Sequence, residues 1–504
     1  MGTARRPRVT AMIGAAAVLA GAAWTLSIAA ATAGGAPAAY GTPSGTESTI
    51  GSAGGGDQYY PMAGNGGIDA QHYDLDLSYT PEKYLPKAIR DQYHLLKGEH
   101  LGRIEGTATV AIRATQPLTR FDLDLSSTLH VRSVTINGHA VAYAHRADGE
   151  LVITPQRLIA AGTRVSVAVA YGAIIRRPPV VNGFSTGLIP TADGVVLSAE
   201  PTGAPTWFPC NDLPHDKATY AVNLTVPRGM VGVSNGLPVG KRTTGNSTAY
   251  QWRTNDPMAP YLAEIAVGNY RVITRSAMGV PIYDYIDRDI PSGRQRKIDA
   301  VLAKVPQMMR YLSGQFGPYP FGSYGHIVDK DLQAGASMEN QTRTLLMTNE
   351  ADEATVAHEL THQWFGDQVA LGQWRDIWLN ESFATWGEWL WRSHSTTDHE
   401  SLAASYREAV RDMSGSWQTV VTDPGADDLF SDAVYARGGA MLYRLDRLIG
   451  GSAMSTILHQ WVSMHRRQPA STAQFVTLAT RVSGRDLSGL FEPWLFQPGK
   501  PRGA

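Results

Sequence analysis

The chain has one cysteine in 504 residues, Cys210, so no disulfide can form within it, and no cysteine directly follows the N-terminal leader to carry a lipid. In Trp207-Phe208-Pro209-Cys210 that residue reads as a small buried hydrophobe, leaving stability to core size and bound metal. Lys and Arg number 44 against 45 Asp and Glu, for a formal charge of −1. No Lys/Arg run occurs outside the N-terminus, which argues against nucleic acid and other polyanions as partners. There is no internal repeat, and no low-complexity segment after residue 67. Histidine is sparse, 14 in all. An HExxH match in this composition arises by accident in roughly a few per cent of chains.

The chain falls into four parts. Residues 1–33 carry Arg5, Arg6 and Arg8 before an uncharged Ala-rich stretch ending Ala31-Thr32-Ala33, the pattern of a cleaved export signal. The expectation is a secreted protein; a membrane anchor holding the remainder outside is the alternative, because the apolar stretch is long enough to span a bilayer. The Arg5-Arg6 pair admits a twin-arginine route, but Pro7 and Arg8 follow it poorly. Residues 34–67, rich in Gly, Ser, Thr, Ala and Pro, read as a linker. Residues 68–272 alternate apolar and polar over short runs, with an Asn137-Gly138 turn between Val134-Thr135-Ile136 and Val141-Ala142-Tyr143, and predict an antiparallel β domain. Residues 273–504 open with a strand at Val280–Tyr285. They continue with a helix over 292–316, a strand near His326-Ile327-Val328 and mostly helical pattern to the end. The expected fold class is therefore α+β and multidomain: a β domain followed by a mainly helical one.

The chemistry gathers in Thr355–Trp391, TVAHELTHQWFGDQVALGQWRDIWLNESFATWGEWLW. Four residues apart on a helix, His358 and His362 share a face and can offer two imidazoles to one ion. Glu359, beside the first, is placed to deprotonate the attacking water. A catalytic zinc keeps three protein ligands and an open position. Glu381, nineteen residues after His362 on a second helical pattern, is the expected third. The rival HExxHxxGxxH arrangement is excluded, because Phe365 and Gln368 stand where it needs Gly and His. Asp367 and Asp376 are candidates to brace the histidine rings from behind. His215, His326 and His394 lack ligand spacing and read as structural.

With HELTH followed at this spacing by Glu381 in WLNESFA, the chain resembles the zinc aminopeptidases of the alanyl aminopeptidase and leukotriene hydrolase family. Phe208-Pro209-Cys210-Asn211-Asp212 with Lys217-Ala218-Thr219-Tyr220 is similar to the family's FPCFDEP…KATF segment. Phe316-Gly317-Pro318-Tyr319-Pro320-Phe321 is similar to the stretch before its exopeptidase motif, and Val434-Tyr435 with Gly438-Gly439-Ala440 to its VYxKGA segment. The resemblance covers about 68–498.

It implies a thermolysin-like catalytic domain and one Zn²⁺ per chain. It also implies peptide substrates with a free amino terminus, whose α-ammonium is bound by Glu339 and Glu200, and a Tyr435 phenol that donates to the oxyanion. A neutral phenol suits that role because the charge it meets develops only in the transition state. The family's GxMEN motif departs here to Gly335-Ala336-Ser337-Met338-Glu339-Asn340, by an inserted residue or by Ala336 in place of glycine. Ser198 stands two before Glu200 where the family often has Gln. The further helical domain of larger members is not expected soon after Phe491–Leu495, which leaves a more open cleft and an endopeptidase alternative. A non-catalytic zinc scaffold is the reading from another class, and needs neither Glu359 nor Tyr435.

Overall fold

The computed structural model describes residues 49–504 apart from 179, 182, 183, 333, 334, 398, 414 and 467. The leader over 1–33 and the linker as far as 48 lie outside the described residues. From residue 49 the linker expectation is corrected, because the segment is packed. Gly51 N donates to Arg120 O at 2.9 Å. Gly64 N and Asn65 Nδ2 each donate at 3.1 Å to the Asp124 carboxylate. Asp57, buried, accepts from Tyr59 N, Tyr60 N and Trp374 N at 2.8–3.0 Å. The glycines that read as flexibility serve close approach: a Cβ at Gly51 would stand 2.5 Å from Gly66 O.

The β domain is built on an eight-stranded sheet whose spatial order is Leu237–Thr244, Ser247–Met258, Ala218–Pro227, Ile68–Pro81, Leu101–Ala114, Arg164–Arg176, His130–Ile136, His139–Ala140. Burial alternates along these strands, so that Val165, Val167, Val169, Tyr171, Ala173 and Ile175 face the core from one of them. Neighbours are antiparallel except Ile68–Pro81 and Ala218–Pro227, which run parallel with His72 opposite Thr219. The long excursion between those two strands supplies the crossover that parallel neighbours require. Asn137 and Gly138 both have positive φ, 50° and 81°, as a tight hairpin demands. The second arm differs from the sequence expectation. It pairs only through His139–Ala140, and Ala142–His145 turns away to join Glu150–Thr154 in a separate three-stranded sheet.

A second unit of sheet begins at Tyr270–Ala277, three residues before the expected start at 273. It continues through Val280–Asp287, Tyr324–Asp329 and Thr344–Met347, the last two joined in parallel. The single helix expected over 292–316 is two, Ser292–Leu302 and Val305–Phe316. Pro306, at the second helical position, has no N–H to continue a ladder from the first helix. Helices Glu353–His362, Trp378–His394, Leu402–Asp412, Gly438–Ile449, Gly451–Met464, Thr472–Ser483 and the short Ser488–Phe491 follow in this part. No helix among the described residues is long and apolar enough to cross a membrane.

Candidate active site

Three helical segments carry the chemistry, and two glycine contacts set their spacing. The helix Glu353–His362 is capped by Asp352, whose side chain accepts from Thr355 N at 3.0 Å. It crosses Trp378–His394 where Gly387 meets Thr361; a Cβ on Gly387 would lie 2.0 Å from Thr361 Oγ1, so only glycine allows this approach. Tyr435 sits on a π-helical turn, Ala433–Arg437, that leads into Gly438–Ile449. That turn is fastened to the middle helix by Ser382 Oγ donating to Val434 O at 2.5 Å, and a Cβ on Gly438 would lie 1.7 Å from the same Oγ.

His358, His362 and Glu381 converge, with one donor atom from each inside 4.8 Å of the others. Glu381 Oε2 lies 3.4 Å from Nε2 of both histidines. The opposite ring nitrogens are engaged elsewhere: His362 Nδ1 bonds Phe365 O at 3.0 Å and His358 Nδ1 faces Glu388 Oε2 at 3.8 Å. Each imidazole is thereby oriented with Nε2 toward Glu381. Two imidazole nitrogens and a carboxylate oxygen, with His362 and Glu381 buried and His358 partly so, are the donor set of a catalytic zinc site, so these residues fit that ion. Burial alone would lower the His358 pKa, but Glu381 and Glu388 hold it up at about 9. Burial pushes Glu381 up, and the charge of His362 with the bonds to both rings outweighs it, to about 2.

Asp367 and Asp376 do not brace the rings. The Asp376 carboxylate accepts from Thr472 Oγ1 and N at 2.5 and 3.2 Å, at the start of Thr472–Ser483. Asp367 lies beside the half-buried Lys217, whose Nζ donates to its backbone carbonyl at 2.5 Å. Glu388, two helical turns beyond Glu381, holds the place expected of them; its spacing of seven on the same face was the available signal. His326 is fully buried with Nδ1 2.7 Å from Asp284 Oδ1, and His394 stacks on Tyr311 at 4.1 Å.

Glu359 is 6% exposed, and burial together with the Glu339 and Glu381 charges raises its carboxyl to about 8 against the pull of both histidines. Glu200, Glu339 and Glu381 bring oxygens within 4.8 Å of one another. Glu200 Oε1 and Glu339 Oε1 are buried without a hydrogen-bond partner among the described residues. Burial first, then the neighbouring carboxylates Glu339 and Glu381, drives the Glu200 carboxyl well above its usual range. Two buried carboxylates with orphaned oxygens form a cradle that a cation would satisfy. The Tyr435 ring stacks near His358 at 5.9 Å, and burial with the surrounding carboxylates keeps its phenol protonated, able to donate. The altered exopeptidase segment is anchored: Met338 and Leu345 exchange both backbone bonds at 2.8 Å, and Ser337 donates twice to Glu350 Oε2.

Two family models match, the Peptidase M1 N-terminal domain over 69–262 and the Peptidase family M1 domain over 301–494. The chain belongs to peptidase family M1. Aminopeptidase M1 of Arabidopsis thaliana is 25% identical over 84% of this chain and 52% of its own length; human glutamyl aminopeptidase is 28% identical over 61% and 34%. The M1 chain thus spans about half or less of these curated relatives. An M1 zinc metallopeptidase from Deinococcus radiodurans, in a substituted form, superposes with TM-score 0.78 at 26% identity, covering 88% of this chain and 98% of that one. A second structure of that protein holds a Tyr-Ser-Ala substrate, with TM-score 0.77 at 26% identity over 89% and 99%.

Proposed function

We propose that this M1 chain is a zinc aminopeptidase that removes the first residue of peptides. One observation carries the reading: Glu381 is shared between a His358/His362 cluster and an orphaned carboxylate pair, Glu200 and Glu339, so a cation cradle adjoins a metal-ligand set. A free α-ammonium, mostly cationic near neutral pH, suits that cradle, and its distance from the ligand set selects the first peptide bond. When bound, zinc supplies Lewis acidity, polarising a carbonyl and easing deprotonation of water. His358, His362 and Glu381 would hold it, with Glu388 and the Phe365 carbonyl orienting the rings. Glu359 accepts the proton of the attacking water at a carboxylate oxygen and returns it to the leaving amine. Tyr435 Oη donates to the developing oxyanion.

The leader read from the sequence supports export, and the free-amine requirement makes peptides the partners. Glu359→Gln tests the assignment of roles. It should lower turnover about 100-fold or more while leaving one zinc per chain. Turnover within a few-fold of wild type would remove Glu359 from the chemistry.

A further inference from the structure

The residue directly after the second histidine, Gln363, has a role that neither the ligand set nor the ammonium cradle uses. Its side chain is completely buried and makes three contacts. Nε2 donates to the carbonyl of Glu339 at 2.8 Å. Oε1 accepts from Thr342 N at 2.8 Å and lies 3.2 Å from the Tyr319 hydroxyl. The two backbone partners fix which end of the amide is which: an N–H can meet only Oε1, and a carbonyl only Nε2. Of side chains this long, only a carboxamide satisfies both whatever the pH; a carboxyl does so only when protonated.

The contacts join two elements that are otherwise separate in sequence. Gln363 continues directly from His362, whereas Glu339 and Thr342 lie on the loop that carries the cradle. That loop turns through an unfavourable left-handed conformation at Thr342, φ 66°, whose N–H is the one Gln363 accepts. Thr342 Oγ1 in turn accepts from Gly236 N at 2.7 Å, so the loop is held from the β-domain side as well.

We infer that Gln363 is a positioning residue that fixes the distance between the Glu339 anchor and the histidine helix, and so sets the length of substrate measured from its amino terminus. This rests on the aminopeptidase reading above. A misplaced anchor weakens ground-state capture of the free amine and blurs the preference for free over blocked peptides, because loss of geometry at a fixed clamp is felt as loss of orientation.

The test compares wild type, Gln363→Glu, Gln363→Met, Glu339→Gln and the double variant Gln363→Met/Glu339→Gln, using one peptide with a free and with an acetylated terminus. Zinc content and thermal unfolding are measured on each. Gln363→Glu keeps the acceptor and loses the donor once ionised, so it is assayed above its pKa; Gln363→Met loses both. The expected result is a KM for the free peptide raised about tenfold or more with a smaller change in kcat, one zinc retained, and a double variant no worse than Glu339→Gln alone. A fall in kcat with KM unchanged, loss of zinc, or fully additive losses would overturn the role. If Glu339→Gln abolishes the free-peptide preference while both Gln363 variants keep it, only the positioning role fails. If Glu339→Gln itself keeps the preference, the amine-anchor reading fails first.

Discussion

The helix approach at Gly387 gives a direct test of how this fold makes its metal site. Gly387→Ala adds a methyl that would stand 2.0 Å from Thr361 Oγ1, 2.6 Å from Cγ2 and 2.7 Å from Cβ. Carbon atoms pack at about 3.5–4.0 Å, so the helices Glu353–His362 and Trp378–His394 must part by on the order of 1 Å. Overpacking of this kind costs about 1–3 kcal/mol. Replacing an interior helical glycine by alanine returns about 1 kcal/mol, so the net loss of stability is about 1 kcal/mol. The effect on the ligands is larger in consequence. His358 and His362 ride on one helix and Glu381 on the other, whereas ligand distances tolerate only about 0.2 Å. Zinc affinity, read by competition with a chromogenic chelator, should fall at least about tenfold, with a modest drop in Tm. Thr361→Ala in the same chain removes Oγ1 and Cγ2 and should restore part of the affinity. Wild-type affinity in Gly387→Ala would refute the claim that this contact sets the site.

Tyr435→Phe removes the oxyanion donor and should lower kcat on the order of 100-fold with KM and zinc content little changed; equal kcat would assign the phenol another role. Asp57→Ala strands Trp374 N in a buried place and frees Tyr59 N and Tyr60 N, costing about 1–3 kcal/mol and opening 49–67 to limited proteolysis. An unchanged Tm and digestion pattern would contradict the packed description of that segment. Asp124, buried, has its carboxyl raised from 3.8 to about 7. The folded state then holds a proton that the unfolded chain has released. With zinc removed, stability should therefore fall as pH rises from about 4 to 7, by up to about 1.4 kcal/mol per pH unit, and Asp124→Asn should flatten that slope. Parallel wild-type and variant curves would rule it out.

Much of the site was legible because it rests on local periodicity. His358, Glu359 and His362 share a helical turn and Glu381 lies on a helical pattern of its own, whereas Tyr435, Glu339 and Glu200 carry no such periodicity and were reached only through the resemblance of their flanking segments to the family's. Where the reading failed, the cause was tertiary. Asp367 and Asp376 were near the histidines in sequence, but the His362 ring bonds the Phe365 carbonyl and Thr472 holds the Asp376 carboxylate, while Glu388 came round on the helix face to His358. The packed segment 49–67 was hidden by composition, since glycine written for close approach looks the same as glycine written for flexibility. Gln363 carries no motif signal at all; its role depends on a loop more than twenty residues earlier. The parallel neighbours Ile68–Pro81 and Ala218–Pro227 were invisible for the same reason, alternation being identical in parallel and antiparallel half-buried strands.

The central claim is that a buried carboxylate pair measures one residue from the metal ligands. One peptide, with a free and with an acetylated amino terminus, digested by the purified enzyme and followed by mass spectrometry, tests it most directly. The account predicts stepwise loss of single residues from the free peptide, stopped by a chelator, and no cleavage of the acetylated one. Internal cuts in both forms would contradict it and make the enzyme an endopeptidase.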